Sequence, residues 1–315
     1  MLVLLLLLPA PLAAAERRFA LIVSGASGGR EYVTQYDQWT TDLSKSLVED
    51  LKFDAALVTV LSDTIQPAAA STADNVQRVV GSIAARMTRE DVLLIVLIGH
   101  GTFDGTDSKF NLVGRDLESA EWAALLRPLP GRLVFVNTAS ASFPFLERLA
   151  APRRVVVTAT NSPAQRFDTV FPEYFIRSLA DTAADLDKNG RISVWEAFAA
   201  ASAGVRRHYQ QRGQLSTERG LIDDNADGIG NEASSPGDDG SYASRTYLDE
   251  SLPGAAPTDE VLLRLLQRKT TLEAEVDDLK IRKTFLSAPE YAKEFERIMI
   301  ELAQVSHDIR ARTKS

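Results

Sequence analysis

The chain has 315 residues and no cysteine. That absence excludes disulfides, thiolate metal sites, iron–sulfur clusters, a cysteine nucleophile and a lipid-modified N-terminal cysteine. Histidine is nearly as scarce, with three in all, which makes a histidine-rich metal centre untenable. Positive charge is in deficit. Lys and Arg number 35 against 43 Asp and Glu, a net charge of −8, which argues against nucleic acid as a partner. Beyond the N-terminus no apolar run approaches about 18 residues, so no integral membrane segment is expected in the mature chain.

The remaining composition, 45% hydrophobic and 25% charged, is that of an ordinary globular protein. Leu2 to Leu8 is an aliphatic run followed by Pro9, Pro11 and Ala13-Ala14-Ala15. It reads as the apolar core and small-residue cleavage site of a signal peptide over residues 1–15, although no basic residue precedes it. The expectation is an exported protein, periplasmic or extracellular.

Phe19–Ser24, Ala55–Leu61, Val92–Ile98, Leu133–Val136 and Val155–Thr160 are short apolar runs. They alternate with helical patterns at Gln35–Leu51, Ser71–Arg86 and Leu117–Leu126. Alternating strands and helices predict an α/β domain over residues 16–180, with a mostly parallel sheet between helical layers. Ligands of such sheets sit beyond the carboxyl ends of the strands. His100-Gly101 and Asn137-Thr138-Ala139-Ser140 both fall there. Gly25-Ala26-Ser27-Gly28-Gly29 matches a G-x-S-x-G elbow in letters, but its context reads as a backbone turn beside the same cleft.

Residues 181–235 carry a second signal. Asp185 to Glu196 satisfies the EF-hand template of about twelve residues. Oxygen ligands come from Asp185, Asp187, Asn189 and Ser193, the Arg191 carbonyl serves the seventh position, and Glu196 closes the loop. Gly190 supplies the sharp turn. Ca²⁺ takes about six to eight hard oxygens, and this spacing wraps them round one point. Asp223, Asn225 and Asp227, with Gly228, repeat the first half of the template, but Ser234 stands where the closing carboxylate belongs. The expected role of the ion is to stiffen the insertion.

Residues 236–259 are rich in Ser, Gly, Pro and Asp and read as a linker. Over residues 260–315, Leu262, Leu265, Leu272, Val276, Leu279 and Leu286 keep a helical spacing that Tyr291, Phe295, Ile298, Leu302, Val305 and Ile309 continue. Ser287, Pro289 and Glu290 break the run and restart it with a capping box. This predicts a helical hairpin. It either packs back on the α/β domain or serves as a homo-oligomer or partner-binding arm.

An apolar strand ending in His-Gly, and a second strand some forty residues on ending in a small-residue motif, resembles the caspase-type fold, most closely its legumain-like peptidases. The resemblance covers roughly residues 18–180 and implies a caspase-like three-layer sandwich, here with an EF-hand-like insertion and a C-terminal helical hairpin. In that family a cysteine thiolate attacks the scissile carbonyl, the histidine moves the proton, and the amide of the following glycine helps hold the oxyanion. By resemblance His100 and Gly101 keep those places, and Ala139 stands where the cysteine belongs. Alanine offers no nucleophile. The resemblance therefore implies a catalytically degenerate peptidase homologue that binds Ca²⁺ and, through its cleft, a peptide or protein. Arg166 and Asp168 fall where the family shapes substrate selection. Two alternatives stand beside it: a hydrolase using Ser140 with His100, and a calcium-dependent structural module with a vestigial cleft.

Overall fold

The computed structural model describes residues 16–63, 66–250, 260–283 and 286–313. The expected signal peptide lies outside the described residues. Strands β1 (Arg18–Ser24), β2 (Val58–Leu61), β3 (Val92–Ile98), β7 (Arg132–Asn137), β8 (Arg154–Thr158) and β9 (Leu221–Asp223) form one sheet in the order β2-β1-β3-β7-β8-β9. The first five are parallel and β9 pairs antiparallel to β8. β4 (Gly101–Phe103), β5 (Ser108–Phe110) and β6 (Leu117–Glu118) form a small antiparallel sheet after β3. Neither β9 nor this meander is visible as a hydrophobic run, because two- and three-residue strands carry too little periodicity.

Both faces of the large sheet are covered, and the strand residues alternate between them. Ile22, Leu94, Val96, Val134 and Val157 pack against α1 (Arg30–Lys45), α5 (Phe171–Ser178) and α6 (Val194–Gln211). Leu21, Val23, Ile95, Leu133 and Phe135 pack against α2 (Ala73–Arg86), α3 (Ser119–Leu126) and α4 (Phe143–Leu149). The chain is thus a three-layer α/β sandwich with a mostly parallel sheet. Burial on both faces explains why β1 and β3 read as unbroken apolar runs. Helix α1 starts five residues earlier than its pattern predicts. Gly29 is extended and Arg30 begins the helix directly after the glycine turn, while residues 46–50 unwind into a π-type turn. Thr72 caps α2, its Oγ1 accepting the Asn75 N–H at 3.3 Å. Among the described residues, no helix is long and apolar enough to cross a membrane.

The expected linker differs most from the structure. Residues 236–250 form a strap packed onto the domain, with Ala243, Leu248 and Asp239 buried. Apart from one 3-10 turn at Ala243–Arg245 it has no helix, and distant groups supply part of its backbone bonding. Asp224 accepts from Gly240 N at 2.9 Å and Ala243 N at 2.6 Å, and the Thr246 carbonyl accepts Val194 N at 2.9 Å. Ser, Gly, Pro and Asp report the lack of an α-helix or strand, not the lack of packing. Residues 251–259 lie outside the described residues.

Helices α7 (Glu260–Arg282) and α8 (Ala288–Thr313) form the predicted hairpin around Leu266, Leu272, Leu279, Ile298 and Ile309. Ser287 and Glu290 make the expected reciprocal bonds at the start of α8. The hairpin touches the domain. Leu186 packs against its seam, and Gln267 Nε2 donates to the Asp239 carbonyl at 2.8 Å.

Arg18 ties the strap to the first strand. Its buried guanidinium donates to the carbonyls of Leu51 (2.6 Å), Lys52 (2.7 Å) and Leu248 (2.7 Å) and lies over the Phe53 ring. Removing a charged donor leaves three carbonyls short of a partner. Arg18→Met is expected to lower the free energy of unfolding by about 2–4 kcal/mol. Urea denaturation measures it, and a change below about 0.5 kcal/mol would mean that the strap is held by other contacts.

Candidate functional site

Two sites were expected from sequence, a cleft at the sheet edge and a calcium loop. The cleft follows from the β3–β7 register, which sets Leu97 opposite Asn137, so both strands release their chains at the same edge. His100 follows the turn at Gly99. Its Nδ1 lies 3.4 Å from Asp168 Oδ1, and Asp168 Oδ2 accepts the Tyr32 hydroxyl at 2.7 Å. Tyr32 meets the imidazole edge-on, with ring centroids 4.6 Å apart, and Tyr36 approaches at 5.7 Å. The bond to Asp168 raises the Tyr32 phenol above its ordinary value; burial, then the Asp168 charge, raises that of Tyr36. Ser140, Asp168, Thr169 and these aromatic residues enclose a cavity of about 10 Å³, enough for a single water.

Ala139 is not part of this cavity. Its methyl is wholly buried with Phe135 and Phe145 on the opposite face of the sheet, continuing the alternation of Leu133 and Phe135. The residue that faces His100 is Ser140. Its hydroxyl is already engaged: Oγ donates to the Gly101 carbonyl at 3.0 Å and accepts the Gly101 N–H at 3.3 Å. Gly101 must lack a side chain, because a Cβ there would stand 2.2 Å from the Ser140 carbonyl oxygen. The Gly101 amide, expected to be free for an oxyanion, is thus directed at Ser140. Of the two proposed cleft-edge residues, Asp168 meets His100 and Arg166 is exposed outside the cavity. Tyr32 and Tyr36 escaped the sequence reading, although Tyr32, Tyr36 and Trp39 fall at the i, i+4, i+7 spacing of one helix face.

The second site is built between α5 and α6. Asp185, Asp187 and Glu196 are all buried, and each offers a carboxylate oxygen within 4.8 Å of the others. The loop backbone is shaped by its own ligands. Asp185 accepts from Asn189 N (3.1 Å) and Gly190 N (3.0 Å), and Asn189 Oδ1 accepts from Arg191 N at 2.8 Å. Lys188 and Gly190 hold positive φ values of 62° and 83°. Glu196 sits at the third position of α6, in a capping box with Ser193, and also receives Leu186 N at 2.8 Å. The two cations of the loop are turned away, Arg191 onto Asp249 and the Tyr247 ring and the exposed Lys188 onto the Thr182 carbonyl at 3.4 Å. Burial, and then the Glu196 charge, pushes the Asp187 carboxyl up to about 7; burial raises Glu196 as well. The chain therefore gathers three buried carboxylates round one point, two of them, Asp187 and Glu196, raised above their ordinary values, and a hard cation would relieve that. The donor set is all oxygen and fits such an ion.

The loop at Asp223, Asn225 and Asp227 repeats this backbone. Asp223 accepts from Ala226 N and Gly228 N, Asp227 accepts from Ile229 N, and Ala226 and Gly228 have φ of 71° and 76°. No third carboxylate joins these residues in a compact cluster among the described residues. Asp224, between them, points instead to the strap.

No family model matches the chain, and no curated protein matches it. Among solved structures it is similar to the crystal structure of protein GSU0716 from Geobacter sulfurreducens, a structural-genomics target. The identity is 14% and the TM-score 0.44, with 66% of this chain and 93% of that chain covered. At that distance the likeness assigns neither a fold family nor a function.

One further carboxylate holds the cleft segment. Glu218, 1% exposed, accepts from Val170 N (2.8 Å) and Phe171 N (3.1 Å) at the start of α5 and from the Tyr209 hydroxyl (3.1 Å). Burial outweighs these bonds and raises its pKa to about 7. The folded state thus keeps a proton that the unfolded chain gives up from about pH 4.5. Stability is expected to fall as pH rises from about 4.5 to 7, by up to about 3 kcal/mol from this group. Urea midpoints of the wild type and Glu218→Gln across that range measure it. The variant should lose this share of the slope, and identical slopes would mean that Glu218 does not titrate there.

Proposed function

We propose that the chain is an exported, calcium-binding homologue of the caspase- and legumain-like peptidases that has lost its nucleophile. The observation that carries the calcium reading is the convergence of three buried carboxylates on one point, in a loop whose two cations, Lys188 and Arg191, bond elsewhere. Ca²⁺ bound there would neutralise Asp185, Asp187 and Glu196. The Asn189 and Ser193 side chains and the Arg191 carbonyl complete a hard-oxygen set. Its task is structural. Leu186 packs on the hairpin and Ser193 bridges to Tyr247 of the strap, so ordering the loop orders both attachments.

The family reading is supported by His100 and the Asn137–Ser140 segment leaving adjacent parallel strands, and by the three-layer architecture round them. Loss of peptidase chemistry is supported by Ala139, which has no nucleophilic atom and is turned into the core. The cavity beside His100 holds little more than a water, so a peptide or protein ligand would lie across its rim at Asp168 and the exposed Arg166. Export is carried by the Leu2–Ala15 pattern alone.

A second reading, a serine hydrolase, is favoured by one arrangement: Ser140 shares a cavity with His100, whose Nδ1 faces Asp168. No hydrogen bond joins Ser140 to His100 among the described residues, and the serine hydroxyl is spent on Gly101. A hydroxyl needs base assistance far more than a thiolate does.

Calorimetric titration with Ca²⁺ is expected to give one site in the micromolar to millimolar range. Thermal unfolding should shift upward in millimolar Ca²⁺. Glu196→Gln should weaken affinity by more than about tenfold. Wild-type protein whose unfolding is indifferent to millimolar Ca²⁺ would overturn the reading. In parallel, a serine-directed phosphonate should leave no adduct. Labelling of Ser140 that disappears in His100→Ala would establish the hydrolase instead.

A further inference from the structure

The hairpin does not close on the domain along its whole length. Between α5 and α6 on one side and α7 and α8 on the other lies an open cleft of about 810 Å³. That is within the range of small-molecule sites, about 300–1,000 Å³. Its two walls differ from a sealed interface. The hairpin contributes Val276, Phe295, Met299 and Leu302, and α6 answers with Ala199, Ala200 and Ala203, whose short side chains leave the space unfilled.

The charge in this cleft runs against that of the molecule. The chain as a whole carries −8. Among the described residues the cleft is lined by Arg177, Arg206, Arg207, Lys269 and Lys280 and by the carboxylates of Asp181 and Glu273. Arg177 is paired outward with Glu173 at 2.9 Å, and Lys269 is 4.0 Å from Glu273. The two arginines on α6 are different. Arg206 has its Nε–H shut off from solvent with no acceptor among the described residues. Arg207 is exposed beside it. A guanidinium held at an apolar cleft without its acceptor is a costly arrangement for the protein alone, and an incoming anion would relieve it.

We infer that this cleft binds an anionic amphiphile, a single acyl or alkyl chain with a carboxylate or phosphate head. The chain would lie between the alanines of α6 and the Phe295–Leu302 face of α8. The head would meet Arg206 and Arg207. Charge complementarity selects an anion, and the apolar walls select a hydrocarbon tail over a free phosphate. A carboxylate and a phosphate head present the same chemistry to a guanidinium fork.

The test is calorimetric titration of the full chain with dodecanoate, dodecyl phosphate, dodecanol and dodecyltrimethylammonium, each below its micelle concentration. Both anions are expected to saturate one site per chain, and the alcohol and the cation are not. Arg206→Gln combined with Arg207→Gln should weaken dodecanoate by about tenfold or more. Ala203→Trp, which fills the cleft, should abolish binding. If that variant misfolds, Met299→Glu at the partly exposed rim serves in its place, repelling the anion. Equal binding of all four compounds, or no saturable binding, would overturn the inference. So would dodecanoate affinity untouched by Ala203→Trp and Met299→Glu, or inorganic phosphate competing with dodecanoate as well as dodecyl phosphate does. An acidic amphipathic peptide that binds where dodecanoate fails would also overturn it and make the cleft a protein-docking groove.

Discussion

Beyond β8 the backbone runs for long stretches without an α-helix or strand, and where such a stretch is buried its N–H must find an acceptor. Carboxylates supply it. Glu218 receives the first amides of α5, Asp185 and Glu196 those of the 185–196 loop, Asp223 those of the next loop, and Asp224 those of the strap. Each acid does what a neighbouring strand would do in a sheet. The cost is that acids collect in places water cannot reach, and Asp187, Glu218 and Asp239 are each pushed up to about 7 by burial. The 185–196 loop is where acids crowd most, with three buried carboxylates within one ion's reach.

The cleft at the sheet edge shows the opposite economy. Few atoms are there, and most are already paired. His100 is wedged between Tyr32 and Tyr36 and leans on Asp168; Ser140 is clasped by both backbone groups of Gly101. Such packing favours one fixed arrangement over the mobility that a reacting serine would need. The proposal of a degenerate peptidase and the small size of this cavity therefore point the same way.

Much of the layered core was legible from the residues. Val92–Ile98 is a strand because seven consecutive apolar side chains find helices on both faces, and its bounds agree with the pattern to the residue. Ser287 and Glu290 mark a helix start because their side chains can reach only the local amides they are seen to bond. The gathering of Asp185, Asp187 and Glu196 was legible for the same reason: the geometry of their loop is local. The orientation of Ala139 was not, since a motif fixes which residue follows a strand but not which face it ends on. Tyr32 and Tyr36 reach His100 across more than sixty positions of sequence, a distance that no spacing rule spans. The strap was missed because its order comes from distant acids, which composition cannot show.

Arg18 belongs to the first strand to leave the ribosome in the described chain, yet one of its three carbonyl partners, Leu248, lies 230 residues downstream. Partners this far apart make for slow closure, since the loop entropy is spent before the contact is gained. A nascent chain that has not yet delivered the strap holds a buried guanidinium with only Leu51 and Lys52 to receive it. The first strand can pair with β2 and β3 early in synthesis, but the last acceptor of its buried guanidinium arrives only with one of the youngest segments.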